Sequence, residues 1–366
     1  MDRSLPDRFL SVARVTTEHV TTREGEQAMA TLTRPVRGLQ PGGEGKPADG
    51  RGGLLLAGVL ALLALGMAVS AILGPLVLGL LQYRTSTTTV NQLEGSDAAV
   101  LFVVAPVTLV AAALAARRHP AAPPLAAGVG VFAAYTYAQV VVGQEYLRLP
   151  GNIERFFPLL LAVFVLAEAA VVLGWRSLPS ELPALGRRVR RVAALALFLV
   201  ALFLVVGLHL RTMLLAWRDP ARMTEYVSSP TPFWLVKLMD LGIVVPGALA
   251  MGVGLWRGAS WAVRPAYVLL TGYTGLAVSV TAMGVLMNVR HDPDASLGLA
   301  GGFGLFAVVF VVLLARLYRP LVVLPRRGPK TPASASPGPA GGAAAGANLE
   351  AKRRAARIEQ QLRSSR

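Results

Sequence analysis

The chain has 366 residues, of which 54% are hydrophobic and 15% are charged, and its mean hydropathy is +0.54, which excludes an ordinary soluble domain and a disordered chain. The absence of cysteine excludes disulfides, thiolate metal sites and cysteine nucleophiles, and the four scattered histidines argue against a metal cluster or a cofactor site. The net charge of +16 does not indicate nucleic-acid binding, because half of it lies in the tail after Tyr318, where basic residues beside a membrane contact anionic lipid headgroups.

The N-terminal part of the chain, residues 1–52, contains no apolar run long enough to be buried. Residues 35–53 are rich in Gly, Pro and charge, which is typical of a disordered leader. The leader is not a secretory signal, because the first apolar stretch begins only at Leu54. Met29 is an alternative start.

Eight apolar stretches follow, and each is long enough to cross a hydrocarbon core of about 30 Å. The sequence therefore predicts an all-α, polytopic membrane domain over residues 53–318. The predicted spans are Gly53–Leu81, Ala98–Ala116, Pro124–Val142, Phe157–Trp175, Val192–Leu210, Phe233–Trp256, Trp261–Asn288 and Leu297–Tyr318.

The basic residues of alternate loops predict the orientation. One set of loops carries nine arginines, and the other set has seven basic residues against eight acids. Because the basic C-terminal tail lies on the side of the nine, both termini are expected in the cytoplasm. The Ala, Gly, Arg and Pro bias indicates a high-GC bacterial genome, so the expected location is the bacterial plasma membrane. The nine residues are Arg117, Arg118, Arg176, Arg187, Arg188, Arg190, Arg191, Arg257 and Arg264.

Two segments are expected after the last span. Residues 319–347 are rich in Pro, Ala, Ser and Gly and predict a flexible linker. Residues 348–366 predict a basic amphipathic helix with Asn348 as its N-cap. Its cations are expected to contact anionic headgroups of the lipid bilayer.

The sixth span carries Lys237 and Asp240 in its first third and Pro246 at its middle. An Asp or Lys at mid-membrane costs about 2.5–3.5 kcal/mol, so Asp240 is expected to face the bundle interior or water. Lys237 lies nearer the outer surface and is able to snorkel there. Pro246 frees the carbonyl of Gly242 and opens that turn to an outside donor.

Glu168 is the other acid within a span. One hypothesis makes it a proton or cation site; the other makes it a protonated carboxyl that donates one interhelical hydrogen bond. Polar residues near the outer ends of other spans are predicted to form an outward-opening vestibule with Asp240. The full candidate ligand or ion pathway is Glu168, Asp240, Lys237, Gln139, Tyr135, His209 and Asn288.

The stretch NVRHDPDAS at residues 288–296 has a composition that binds a cation weakly, but two carboxylates are too few for a calcium cage. Together with FWLVKLMDLGIVVP at residues 233–246, it resembles segments of multi-pass bacterial membrane proteins without an assigned activity. The resemblance covers the last four spans and implies a membrane family, not a reaction.

Three function classes remain open. A sensor or accessory subunit would use the vestibule for a ligand or a membrane-protein partner, and it needs no catalytic motif. A small-solute or proton-coupled transporter would use Glu168 and Asp240, but the sequence shows no pair of equivalent kinked segments marking an inverted repeat. An intramembrane enzyme ranks third, because no common catalytic motif is present and no catalytic residue is assigned.

Overall fold

A computed structural model describes residues 50–322 of the chain. Most of the predicted leader, nearly all of the linker and the whole C-terminal basic helix lie outside the described residues. The described part is helical without strands, and it contains eight helices long and apolar enough to cross a membrane. They are α1 Arg51–Leu73, α2 Thr87–Ala116, α3 Ala122–Val142, α4 Ile153–Arg176, α5 Arg187–Arg218, α6 Pro230–Arg257, α7 Ser260–Val289 and α8 Leu297–Val322.

The prediction of an all-helical fold with eight apolar spans is confirmed, but several predicted helix boundaries differ from the observed ones. Helix α1 ends at Leu73, ahead of the Gly74–Pro75 pair, rather than at Leu81. Helix α2 begins at Thr87 rather than Ala98, and the Ser86 hydroxyl accepts a hydrogen bond from the Thr89 N–H as its N-cap. Helix α8 continues through Val322, so the first residues of the predicted linker are helical.

The polar start of α2 is helical because it is packed against α7. A Cβ atom added at Gly95 would lie 2.5 Å from the Met283 Cα, so the two backbones touch at this point. Glu94 and Asp97, which the sequence assigned to an outer loop, are therefore buried within a helix.

The eight helices form two halves of four, each with its own hydrophobic core. In the first half α1 packs on α2, α3 on α4, and α1 on α4; the second half repeats this pattern with α5 on α6, α7 on α8, and α5 on α8. Helices α3 and α7 pack against each other between the halves. Because corresponding helices run in the same direction, the repeat is parallel rather than inverted.

Helices α2 and α6, the second helix of each half, share the same break. Each contains one wide π-helical segment, Val100–Val104 or Asp240–Val244, placed two residues ahead of a proline, Pro106 or Pro246. The widened turn moves the preceding carbonyls away from the proline ring, with which they would otherwise clash. The sequence analysis missed this pair because it looked for inverted repeats only.

The loops alternate between two ends of the bundle. The long-loop end holds residues 74–86, 143–152, 219–229 and 290–296, and hydrogen bonds join the first three of these loops to one another. The opposite, arginine-rich end holds residues 117–121, 177–186 and 258–259.

Candidate functional site: two buried carboxyl groups

Asp240 is the centre of the first polar site. The Tyr135 hydroxyl donates a hydrogen bond to Oδ1 of Asp240, and His209 Nε2 lies 2.8 Å from Oδ2. Gln139 Nε2 donates to the Tyr135 oxygen at 3.0 Å. The side chain of His209 is 3% exposed and that of Asp240 is 14% exposed, so helices α3, α5 and α6 share a buried group of polar atoms.

Irregular backbone turns position two members of this group. Asp240 opens the π-helical segment of α6, where the Val245 N–H donates to the Asp240 carbonyl. His209 lies in a second π-helical segment, Phe203–Leu210 of α5. Such turns are rare in helices and frequent at functional sites.

Helix α7 supplies the outside donor expected at the α6 break. The Tyr273 hydroxyl donates to the Val244 carbonyl at 2.9 Å, two residues beyond the predicted acceptor Gly242. Gly247 permits this approach, because a Cβ atom there would lie 2.7 Å from the Tyr273 oxygen. The break in α6 is thus held from three neighbouring helices.

Lys237 lies one turn from Asp240 toward the long-loop end. It is 5% exposed, its ammonium group donates to the Phe233 carbonyl at 3.3 Å, and the same group lies 3.2 Å from the centre of the Phe233 ring. Within the described residues it forms no salt bridge with Asp240, and it does not extend to the surface.

A short helix, Thr224–Ser228, lies in the loop above the site and places Glu225 near Lys237 and His209. Burial raises the pKa of Glu225, while the neighbouring Lys237 and His209 oppose that rise. From the sequence, Glu225 is one of the eight acids of the charge-balanced loops. No local pattern distinguishes it from the other loop acids, because the turn that brings it over the site is set by packing.

Aromatic side chains hold this short helix in place. Tyr226 packs on Phe233 and Trp234, with ring centres 5.3 and 6.1 Å apart, and Trp217 stacks on Trp234 at 6.5 Å. The loop between α5 and α6 therefore forms a cover over the Asp240 site.

Two residues of the predicted pathway lie away from Asp240. Glu168 is exposed on the outer face of α4, in line with the exposed side chains of Leu161, Val165 and Val172. Asn288 Nδ2 donates to the Gly284 carbonyl at 2.7 Å within α7. The structure thus brings Asp240, Tyr135, Gln139, His209 and Lys237 together and leaves Glu168 and Asn288 outside the group.

Asp97 is the centre of a second polar site, between α1, α2 and α3. Its Oδ2 accepts a hydrogen bond from the Tyr83 hydroxyl at 3.0 Å, and the carboxyl group is 8% exposed. Burial and the Asp97 charge raise the pKa of Tyr83 well above its ordinary value. Next to Asp97, the hydroxyl groups of Ser96 and of Ser279 on α7 form a hydrogen bond of 2.9 Å.

The 290–296 loop, which follows α7, contacts α2 through an ion pair and hydrogen bonds. Arg290 pairs with Glu94 at 2.7 Å, and Asn91 Nδ2 donates to Asp292 at 2.6 Å. Asp292 also accepts from Thr88, so its oxygens are occupied by neutral donors. Within residues 51–322 no group of three His, Asp or Glu side chains is arranged to hold a metal ion.

No protein-family model, curated protein or solved structure matches this chain significantly. The fold and the two sites define a helical bundle of the membrane-protein type, in which each half places the aspartate of one polar site between its first two helices and α3.

Proposed function

We propose that this chain is a multi-pass protein of the bacterial plasma membrane, with both termini in the cytoplasm and the long-loop end outside. The arginine distribution supports this orientation, because short loops rich in Arg remain on the cytoplasmic side. In the same arrangement the basic C-terminal segment faces the inner leaflet and contacts its anionic headgroups.

The proposed function is that of a sensor or accessory subunit that responds to protons entering from the long-loop end. The observation that carries this proposal is the hydrogen-bonded group of Asp240, His209 and Tyr135, buried where three helices meet. Histidine is the side chain whose charge ordinarily changes between pH 5 and pH 8.

A change of charge at Asp240 or His209 would affect the helical segments in which these two residues lie. A proton bound by this group would alter the contact between α5 and α6, and both residues lie in π-helical segments, which are frequent at functional sites. Glu225 in the cover lies close enough to Lys237 and His209 for their charges to act on it. The site therefore links proton binding to the packing of α5, α6 and the loop between them.

A membrane-protein partner also belongs to this proposal. Glu168 lies in the middle of an apolar outer face of α4, where no described residue donates a hydrogen bond to it. A partner helix that supplied a donor would remove the cost of exposing this carboxyl to lipid.

A proton-coupled small-solute transporter is the second candidate. The matched breaks of α2 and α6 favour it, because discontinuous helices at equivalent positions of two repeats form the substrate and ion sites of many transporters. In that function Asp240 would carry the coupling proton, and Glu168 would act only after a rearrangement that brings it inward.

The test uses the natural absence of cysteine. A cysteine at Val227, which is 52% exposed in the cover, is labelled with an environment-sensitive fluorophore in full-length protein reconstituted in nanodiscs. We expect the fluorescence to change between pH 5 and pH 8, and we expect His209→Gln and Asp240→Asn to abolish the change. The matched control His119→Gln alters a histidine at the opposite end and should leave it intact.

A signal that is independent of pH in the parent protein, or unaffected by both substitutions, would refute the sensing proposal. Proteoliposomes with an internal pH dye separate the two candidates. Proton entry that requires Asp240 would identify a transporter, whereas a pH-dependent cover without proton entry would support the sensor.

A further inference from the structure

A small cavity lies beside Asp97, enclosed by α1, α2 and α3. Its volume of about 10 Å³ holds the centre of a single water-sized particle. Oxygen atoms dominate its polar lining, which consists of Ser70, Tyr83, Ser96, Asp97, Thr136 and Tyr137.

The electrostatic surroundings of Asp97 are negative. No described Lys, Arg or His side chain forms a salt bridge with it, and the neighbouring acid Glu94 already holds Arg290. Asp97 Oδ2 also lies against the end of α1, because a Cβ atom at Gly74 would be 2.8 Å from this oxygen and 3.3 Å from the Ala71 carbonyl. The C-terminal end of a helix carries about half a negative charge, so it favours a cation beside this carboxyl group.

The second half of the bundle surrounds its carboxyl group differently. Asp240 and Asp97 both lie between the first two helices of their own half and α3, but only Asp240 has an imidazole as neighbour. Asp97 Oδ1 accepts no hydrogen bond from the described residues, and the carboxyl group borders the cavity. The cavity is therefore the place where a cation would contact the carboxyl group of Asp97.

The oxygen atoms decide which cation fits. Carboxylate and hydroxyl oxygens favour hard metal ions over transition metals. A divalent ion would leave an uncompensated positive charge in a buried site with a single carboxylate, and Ca²⁺ takes six to eight oxygen ligands. A cavity of this size also excludes organic cations.

We propose that this cavity is a binding site for one Na⁺ ion, held by Asp97 with the hydroxyl groups of Ser70 and Thr136. Because Ser96 is bonded to Ser279, an ion there would also strengthen the contact between α2 and α7, which joins the two halves. The site does not depend on the function proposed for Asp240.

The test is the thermal unfolding of full-length protein in detergent at constant ionic strength and constant pH. NaCl is compared with KCl and choline chloride, and the intrinsic tryptophan fluorescence reports unfolding. We expect a saturable rise in Tm with Na⁺ that K⁺ and choline do not reproduce, because an ion that binds only the folded state stabilises it by mass action. Binding of radioactive ²²Na⁺ should saturate at one ion per chain.

Two variants keep the test decisive. Asp97→Asn should lose the Na⁺ effect, and Asp240→Asn, the matched change in the other half, should retain it. If Asp97→Asn fails to fold, Thr136→Val keeps the carboxyl group and should raise the half-saturating Na⁺ concentration by about tenfold, the loss typical of weakened ion coordination. Equal Tm values in the three salts, or a Na⁺ effect that survives both Asp97→Asn and Thr136→Val, would overturn the proposal, as would a response to pH with none to Na⁺.

Discussion

Replacing Asp240 by Leu tests whether this carboxyl group holds three helices together. The substitution leaves the Tyr135 hydroxyl and the His209 N–H without their acceptor. Each buried donor without a partner costs about 1–3 kcal/mol, and the partial exposure of Asp240 reduces the sum to about 2–4 kcal/mol. Asp240→Asn keeps one acceptor oxygen, so its cost should be about half as large.

The assay is thermal unfolding in detergent at fixed pH, where a loss of this size should lower Tm by about 3–8 °C. A double-mutant cycle measures the contribution of the hydrogen bond between Tyr135 and Asp240. Tyr135→Phe should cost less in the Asp240→Leu background than in the parent, with a coupling of about 0.5–3 kcal/mol. If Asp240→Leu is as stable as the parent protein, the hydrogen bonds from Tyr135 and His209 do not stabilise the bundle.

Glu168→Leu is the matched control, since it removes the other acid predicted within a span. Glu168 lies on the outer face of α4, so its loss should leave the stability of the isolated protein unchanged or raise it. If Glu168→Leu lowers Tm as much as Asp240→Leu does, the difference in burial between the two acids does not explain their effects on stability.

Three further outcomes are expected. An impermeant thiol reagent should label cysteine placed at the fully exposed Leu147 in intact cells but not cysteine at Ser180, and the reverse would invert the proposed orientation. Gly95→Ala should lose about 1–3 kcal/mol of stability, because its Cβ meets the backbone of α7, whereas Gly58→Ala, with open space around it, should not; equal effects would place the α2–α7 contact elsewhere. Burial raises the pKa of Glu225, so the folded protein binds this proton more tightly than the unfolded chain and loses stability as the pH rises through the raised pKa. The Glu225→Gln variant should therefore have a higher Tm than the parent protein at neutral pH and the same Tm at acidic pH.

The eight apolar helices could be predicted from the sequence because hydropathy summed over a span depends only on composition and length. The cost of an acid in lipid likewise predicted that Asp240 needs a partner. Tyr135, Gln139 and His209 lie toward the same end of their helices, and that position follows from counting along each span.

The rotation of each helix about its own axis, unlike the number of helices, could not be predicted from the sequence. A helix that is apolar on all sides does not specify which face is turned inward, so the sequence could not separate Asp240, which faces three helices, from Glu168, which faces outward. Only packing determines that rotation.

Tertiary contacts also decided the structure of the polar segment before residue 98. Its composition resembles a loop, yet the close approach of α7 at Gly95 and the loop contacts of Glu94 make it the first turns of α2 and bury Asp97. The sequence by itself determined how many helices the chain can place in a membrane and what a buried charge would require. Which acids are buried, and which side chains meet them, depended on contacts between residues far apart in the chain, which no local pattern encodes.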